Sequence, residues 1–201
     1  MSDIKSATTV MLCGVGGQGT ILAADLLCKT AAASGLTVKL SEVHGMAQRG
    51  GSVSTVVRYG DAVYSPIADE GDVDALVAFE MIEAVRYLHF LRPGGALFVN
   101  DYQMDPLSVR TGAAPRPEGV RELLAEAGAI FVPATELAVA ASSPKSANVV
   151  LMGALSAALS FDPIVWLDVI SGRVPPKTIE ANRQAFSAGR ELCLSRCGVI
   201  G

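Results

Sequence analysis

No two cysteines of this chain stand in a C-x-x-C pair, and the closely spaced run that would hold an iron–sulfur cluster is missing. Cys13, Cys28, Cys193 and Cys197 read instead as small apolar residues of a reducing compartment. Cys193 and Cys197 lie four apart on a terminal helix and face the same way, but no histidine stands near them. Basic clusters are equally scarce. Sixteen Lys and Arg against twenty Asp and Glu give a net charge of −4 and a pI near 5.2, so nothing marks a nucleic-acid groove. The longest apolar stretch, Val149 to Leu159, is interrupted by Gly153 and Ser156 and falls well short of the roughly 20 residues of a membrane span. Met1 to Ser6 runs directly into a strand without the basic and apolar regions of a secretion signal, so the cytoplasm is the expected compartment.

Catalytic signatures are thin as well. There is no G-x-S-x-G, and two histidines leave little choice of base. Gly60-Asp61 and Gly71-Asp72 are followed by Ala62 and Val73, so neither opens the Gly-Asp-Gly run of a thiamine diphosphate site. His89, among Tyr87, Leu88, Phe90 and Leu91 in a helix over Met81 to Leu91, reads as a packing or surface residue. The chain carries no self-sufficient catalytic constellation.

What is abundant is apolar residue and glycine. Half of the 201 residues are hydrophobic and mean hydropathy is +0.40, which fits either a dense core or apolar surface buried against a partner. The length suits one α/β domain with a core that needs no staples. Its opening is Thr8 to Cys13, a β-branched apolar strand, then Gly14-Val15-Gly16-Gly17-Gln18-Gly19, then a helix from Thr20 to Ala33. Glycines at 14, 16 and 19, with Glu42 about 20 residues on, match the dinucleotide fingerprint of a βαβ unit. A ligand-free turn would use the same glycines.

After a stop at Ser34-Gly35, Leu36 to Leu40 reads as a second strand and Ser41 to Gly51 as a polar, aperiodic loop carrying Glu42, His44, Gln48 and Arg49. Such a loop is either functional or a solvated or intersubunit connection. Arg49 would clamp a carboxylate or phosphate, and His44 and Gln48 would donate or accept. Ser52 to Tyr59 and Asp74 to Phe79 are further strands, with Glu80 at the carboxyl end of the latter. Ala96 to Asn100 follows a break at Arg92-Pro93-Gly94-Gly95, Asp101 to Pro117 is an irregular excursion, and Glu118 to Ala127 is helical. Ala129 to Pro133 is a strand, and Thr135 caps a short helix to Ala140. Helices over 149–159, 163–169 and 178–197 complete the chain. Alternating strands and helices predict a doubly wound, Rossmann-like α/β fold over 1–201, with a mostly parallel sheet, helices on both faces and a C-terminal helical extension from about 164 to 197.

The glycine turn together with Glu42-Val43-His44-Gly45-Met46-Ala47-Gln48-Arg49-Gly50-Gly51 resembles the gamma-type domain of the 2-oxoacid:ferredoxin oxidoreductases. The likeness continues through Pro144-Lys145-Ser146-Ala147-Asn148, Met152-Gly153-Ala154-Leu155 and Glu180 to Gly189, and is greatest to small (beta) subunits of the indolepyruvate branch. The resemblance implies a subunit of an enzyme that decarboxylates a 2-oxoacid oxidatively to an acyl-CoA and passes electrons to ferredoxin. It also implies that thiamine diphosphate and the iron–sulfur clusters sit on a larger partner subunit, that this chain binds none of them alone, and that coenzyme A is co-substrate. Gly14, Gly16, Gly17, Gln18, Gly19, Glu42, His44, Gln48 and Arg49 would then face coenzyme A, the substrate or the partner, with no catalytic residue and no metal ligand on this chain. The apolar composition makes self-association of the isolated chain an expectation as well. Two other readings stay open at this point: a free-standing NAD(P)-binding oxidoreductase, and an assembly subunit whose loop makes only protein contacts.

Overall fold

The computed structural model describes residues 7–45 and 51–194. Strand β1 (Thr8–Val15) is buried from Thr9 onward, as its unbroken apolar run demands of a strand covered on both faces. Helix α1 (Thr20–Ala33) has the expected bounds. It ends where Gly35, at φ +83°, lets the Gly35 and Leu36 amides return to the carbonyls of Ala32 and Ala31.

The second strand departs from expectation. β2 (Thr37–His44) runs four residues beyond Leu40, so Glu42 and His44 lie on a strand rather than in a loop. β2 is the sheet's outer edge, most of its residues are exposed or half-buried, and so its polar half has no apolar alternation to betray it. The chain then turns back as β3 (Ser52–Gly60), antiparallel to β2 and to β1.

β4 (Val73–Ala78), helix α2 (Met81–Tyr87), β5 (Leu91–Asn100), α3 (Leu107–Arg110), α4 (Val120–Glu126) and β6 (Ile130–Val132) follow. The final four helices are α5 (Ala134–Ala140), α6 (Ala147–Ser156), α7 (Pro163–Arg173) and α8 (Ile179–Leu194). α2 stops four residues before Leu91, and a single 3-10 turn carries the chain to β5. Arg92 to Gly95 belong to β5 as an irregularity in its register with β4 rather than to a break before it. Thr135 lies inside α5, whose N-cap position is Pro133, so it is not the cap.

The sheet order is β2-β3-β1-β4-β5-β6, with parallel pairing from β1 through β4 and β5 to β6. Among the described residues, five of the six strands run in one direction, and β3, reversed, is inserted between β1 and β2.

Alternate residues of the central strands feed two cores. Val10 and Leu12 of β1, Val77 of β4 and Phe98 of β5 pack with α1 and α5 to α8, whereas Met11, Cys13, Leu76 and Val99 pack with α2 and α4. Helices therefore cover both faces. The apolar stretch that is too short for a membrane is α6, buried from Asn148 to Ser156 between neighbours on all sides. α7 and α8 complete the larger core, to which Trp166, Phe186 and Cys193 contribute. α8 lies so close to α6 that a Cβ on Gly153 would stand 2.0 Å from the Phe186 carbonyl oxygen, and one on Gly189 would stand 2.0 Å from that of Val150. The motifs around Gly153 and Gly189 thus encode one helix crossing. Among the described residues, no helix is long and apolar enough to cross a membrane.

Candidate functional site

The glycine turn sits at the carboxyl end of β1, where an open α/β sheet keeps its ligand crevice. Its shape is set from beneath. Gln18 turns inward, its Oε1 accepting the Val15 amide at 2.7 Å and its Nε2 donating to the Phe79 carbonyl at 3.3 Å. Asn100 Nδ2 donates to the same carbonyl at 3.2 Å, so the ends of β1, β4 and β5 meet there. A Cβ on Gly14 would lie 2.7 Å from Gln18 Oε1 and 2.8 Å from Phe79 Cβ. Gly14 and Gln18 are therefore one packing unit, and both ends of the Gln18 amide brace the turn.

Gly19 is the N-cap of α1, with φ +82° and no side-chain cap. Its carbonyl accepts the Ala23 amide and, at 3.2 Å, Asn148 Nδ2 from α6. The amides of Thr20, Ile21 and Leu22 have no intrahelical acceptor in such a first turn and remain available to an anion. The Thr20 hydroxyl makes no hydrogen bond among the described residues, although Thr20 is only 4% exposed.

These groups line a cleft of about 670 Å3 whose walls are Gly16, Gly17, Gly19, Thr20 and Ile21 on one side and His44, Gly45 and Val53 on the other. Among the described residues, nothing lies within 4 Å of where a Cβ on Gly17, at φ +104°, would stand. Beside the cleft, sharing Ile21, an apolar groove of about 520 Å3 runs between α1 and β2 along Ala24, Cys28, Val38 and Leu40 to Glu42. Burial, and then the neighbouring Asp25, pushes the Cys28 thiol up to about 11, so it is protonated and unreactive near neutrality.

Glu42 and His44, two apart on one face of β2, bring Oε1 and Nε2 to 2.9 Å. Of the expected site residues, the structure thus places Gly16, Gly17, Gly19 and His44 around one cleft and Glu42 at the adjoining groove. Gln48 and Arg49 lie outside the described residues. The insertion of β3 also bears on the dinucleotide reading. A ribose-binding carboxylate belongs at the end of a strand next to β1, and Glu42 is two strand spacings away, roughly 10 Å.

A second group of polar residues lies across the sheet. Glu80, at the end of β4, is the N-cap of α2, accepting the Glu83 amide at 3.0 Å and the Met104 amide at 2.9 Å, and it lines a small pocket of about 110 Å3 with Ser52, Glu83 and Met104. Burial raises its carboxyl above the usual carboxylate range against the pull of those amides. Glu83, also buried, accepts a short hydrogen bond from the Ser52 hydroxyl on Oε2 and one from Arg86 Nε on Oε1 at 3.1 Å. The Cys13 thiol donates to the Glu83 carbonyl at 3.5 Å; burial, reinforced by Glu83 and Glu80, holds that thiol well above its ordinary range. Thr20, Asn148, Ser52 and Glu83 were not among the expected site residues. Only Asn148 carried a signal, through its place in the Pro144 to Asn148 motif.

Among the described residues, no group of three or more His, Cys, Asp or Glu is placed to hold a metal ion. Cys13 and Cys193 lie in different cores and Cys28 at the groove, so they do not fit a cluster ligand set.

Residues 9–192 match the family model described as pyruvate ferredoxin/flavodoxin oxidoreductase. The chain belongs to that family. It is 41% identical to the indolepyruvate oxidoreductase subunit IorB of Thermococcus kodakarensis, across 94% of this chain and 98% of that one. The oxidoreductase fold recurs in the gamma subunit of a keto/oxoacid ferredoxin oxidoreductase from Geobacter sulfurreducens, with a TM-score of 0.69 at 24% identity over 94% of this chain and 99% of that one. It recurs again, with a TM-score of 0.73 at 21% identity over 98% of this chain, in 33% of the longer chain of a 2-oxoglutarate:ferredoxin oxidoreductase from Magnetococcus marinus, solved with 2-oxoglutarate, coenzyme A and succinyl-CoA bound.

Proposed function

We propose that this chain is the small subunit of an indolepyruvate-type 2-oxoacid ferredoxin oxidoreductase, and that the cleft at the start of α1 receives the phosphate-bearing part of coenzyme A. The observation that carries the reading is the open first turn of α1 at the wall of the cleft, with Thr20 beside it. A 14-residue helix concentrates positive potential at that end, and its free amides match phosphate oxygens. Relatives that are indolepyruvate oxidoreductase subunits support the first part of this assignment, and coenzyme A is bound in a solved neighbour of the same fold.

In this reading the larger subunit carries thiamine diphosphate, which supplies the electron sink for decarboxylation, and the iron–sulfur clusters that lead to ferredoxin. The work of this chain is to bind and orient. The amides of Thr20, Ile21 and Leu22 and the Thr20 hydroxyl donate to phosphate, Gly17 leaves room for close approach, and His44, paired with Glu42, walls the far side. Exposed Leu40 and Val43 offer apolar contact to the larger subunit.

The decisive variant is Ile21→Asp. Ile21 is 59% exposed at the cleft, and an aspartate in a first helical turn stabilises the helix while repelling an anionic ligand. In the complex reconstituted with its large subunit, KM for coenzyme A should rise about tenfold or more with the melting temperature unchanged. An unchanged KM would sink the assignment of this cleft. A panel of 2-oxoacids in the same viologen-reduction assay tests the substrate, with indolepyruvate expected to be preferred over pyruvate.

A further inference from the structure

Ser52 occupies an unusual junction. As the first residue of β3 it stands opposite Val15, the last residue of β1, and four connections leave it or its neighbour. Its hydroxyl donates to Glu83 Oε2 on α2 and lies 3.2 Å from the Tyr87 hydroxyl. Its carbonyl accepts the Gly45 amide at 2.9 Å, beside His44. The carbonyl of the preceding Gly51 accepts the Gly16 amide at 2.9 Å, within the glycine turn. Two adjacent residues thus hold both walls of the cleft, and one carboxylate on the opposite face of the sheet holds them.

We infer that Ser52, fixed by Glu83, is the positioning residue that sets the distance between the glycine turn and the end of β2. The inference rests on the assignment of the cleft to coenzyme A. Glu83 is suited to the task because its own geometry is fixed twice over. Arg86 takes its second oxygen, and Glu80 and the Cys13 thiol tie the backbone of its turn. A buried carboxylate paired in this way adds little net stability over apolar packing, so what the pair contributes is position. The helix that carries the phosphate-binding amides is held elsewhere, by Gln18 of the preceding turn, which donates to Phe79 at the end of β4, and by Asn148 from α6. Loss of the Ser52 hydroxyl therefore leaves α1 in place and frees the Gly51–Ser52 peptide, which widens the cleft without dismantling the fold.

The test uses the complex with the large subunit and compares Ser52→Ala, Ser52→Thr, Glu83→Gln and the Ser52→Ala/Glu83→Gln pair. Ser52→Ala should raise KM for coenzyme A about five- to tenfold, the scale of one lost hydrogen bond, with kcat within about twofold. Ser52→Thr, which keeps the hydroxyl and suits a strand, should restore KM. The double variant should be no worse than the more impaired single one, because both remove the same bond. If Glu83→Gln does not assemble, the contrast between Ser52→Ala and Ser52→Thr decides alone. An unchanged KM in Ser52→Ala, a fall in kcat without a change in KM, or failure of threonine to rescue overturns the role of Ser52. The control is Ile21→Asp: a raised KM there with an unchanged KM in Ser52→Ala defeats only this inference, whereas an unchanged KM in Ile21→Asp defeats the cleft itself.

Discussion

The Nε2 of Gln18 donates to the carbonyl of Phe79 across 3.3 Å, joining the loop after β1 to the end of β4 at the point where the sheet's strand order reverses direction. The other end of the same amide accepts the Val15 amide at 2.7 Å, so both functional groups of Gln18 are committed inside the protein. A glutamine inside a phosphate-type glycine turn invites a ligand-binding role. Here both of its ends hold the turn in shape.

Gln18→Ala should therefore lower stability by about 1–3 kcal/mol, because the Val15 amide loses its acceptor in a partly buried place while Phe79 keeps Asn100. Gln18→Glu separates the two ends. A carboxylate still accepts from Val15 but sets an oxygen against the Phe79 carbonyl, so the variant should be at least as destabilised at pH 7 and should recover part of the loss when protonated near pH 4. Urea unfolding at the two pH values measures both; equal losses for Gln18→Glu at pH 7 and pH 4 would exclude a donor role for Nε2.

Gly153 and Gly189 make a second prediction, on stability alone. Alanine at either position places a Cβ about one bond length too close to a backbone oxygen of the facing helix, and backbone cannot rotate aside as a side chain can. Each single substitution should cost more than about 4 kcal/mol or abolish soluble expression. Gly172, with open space around it, is the control: Gly172→Ala in α7 should be neutral or stabilising by a few tenths to about 1 kcal/mol.

The helical frame was legible because its signals are local. α1 is bounded by a glycine before it and Gly35 after it, and α6 announces itself as an apolar run too short for a membrane. β2 was half lost because an edge strand can be polar, and with it went the hairpin that inserts β3 beside β1. The glycine turn was legible as backbone, yet the direction of Gln18 depends on Phe79, 61 residues later. Thr20 was hidden as an ordinary helical residue. Ser52 and Glu83, 31 residues apart, meet only because of the strand insertion that the sequence does not display.

Glu80 links stability to pH. Its folded carboxyl titrates above its ordinary value because burial outweighs the amides of Met104, Glu83 and Ile82. Between the unfolded and folded values the native state therefore holds more proton on Glu80 than the unfolded chain does, and stability falls as pH rises through that window. Against Glu80→Gln, the wild-type chain should show a more negative slope of unfolding free energy with pH in the window, and parallel curves above it. A difference in slope of the opposite sign would mean that the amides prevail over burial.

Gly17 and Gly19 separate backbone strain from steric contact within one turn. Both have positive φ, +104° and +82°, so alanine at either costs about 1–2 kcal/mol of backbone energy. At Gly17 no other described residue is near, and the remaining effect of a methyl group falls on the cleft it lines. At Gly19 a Cβ would also stand 2.6 Å from Asn148 Nδ2, the group that hydrogen-bonds the Gly19 carbonyl. Gly19→Ala should thus be the more destabilised of the two in urea, and Asn148→Ala should relieve part of that loss by removing the obstructing amide. Gly17→Ala should melt closer to wild type and yet show the larger increase in KM for coenzyme A in the complex, since its methyl group occupies cleft rather than core. If the two variants instead ranked identically in stability and in KM, the cleft would not lie on the Gly17 side of the turn.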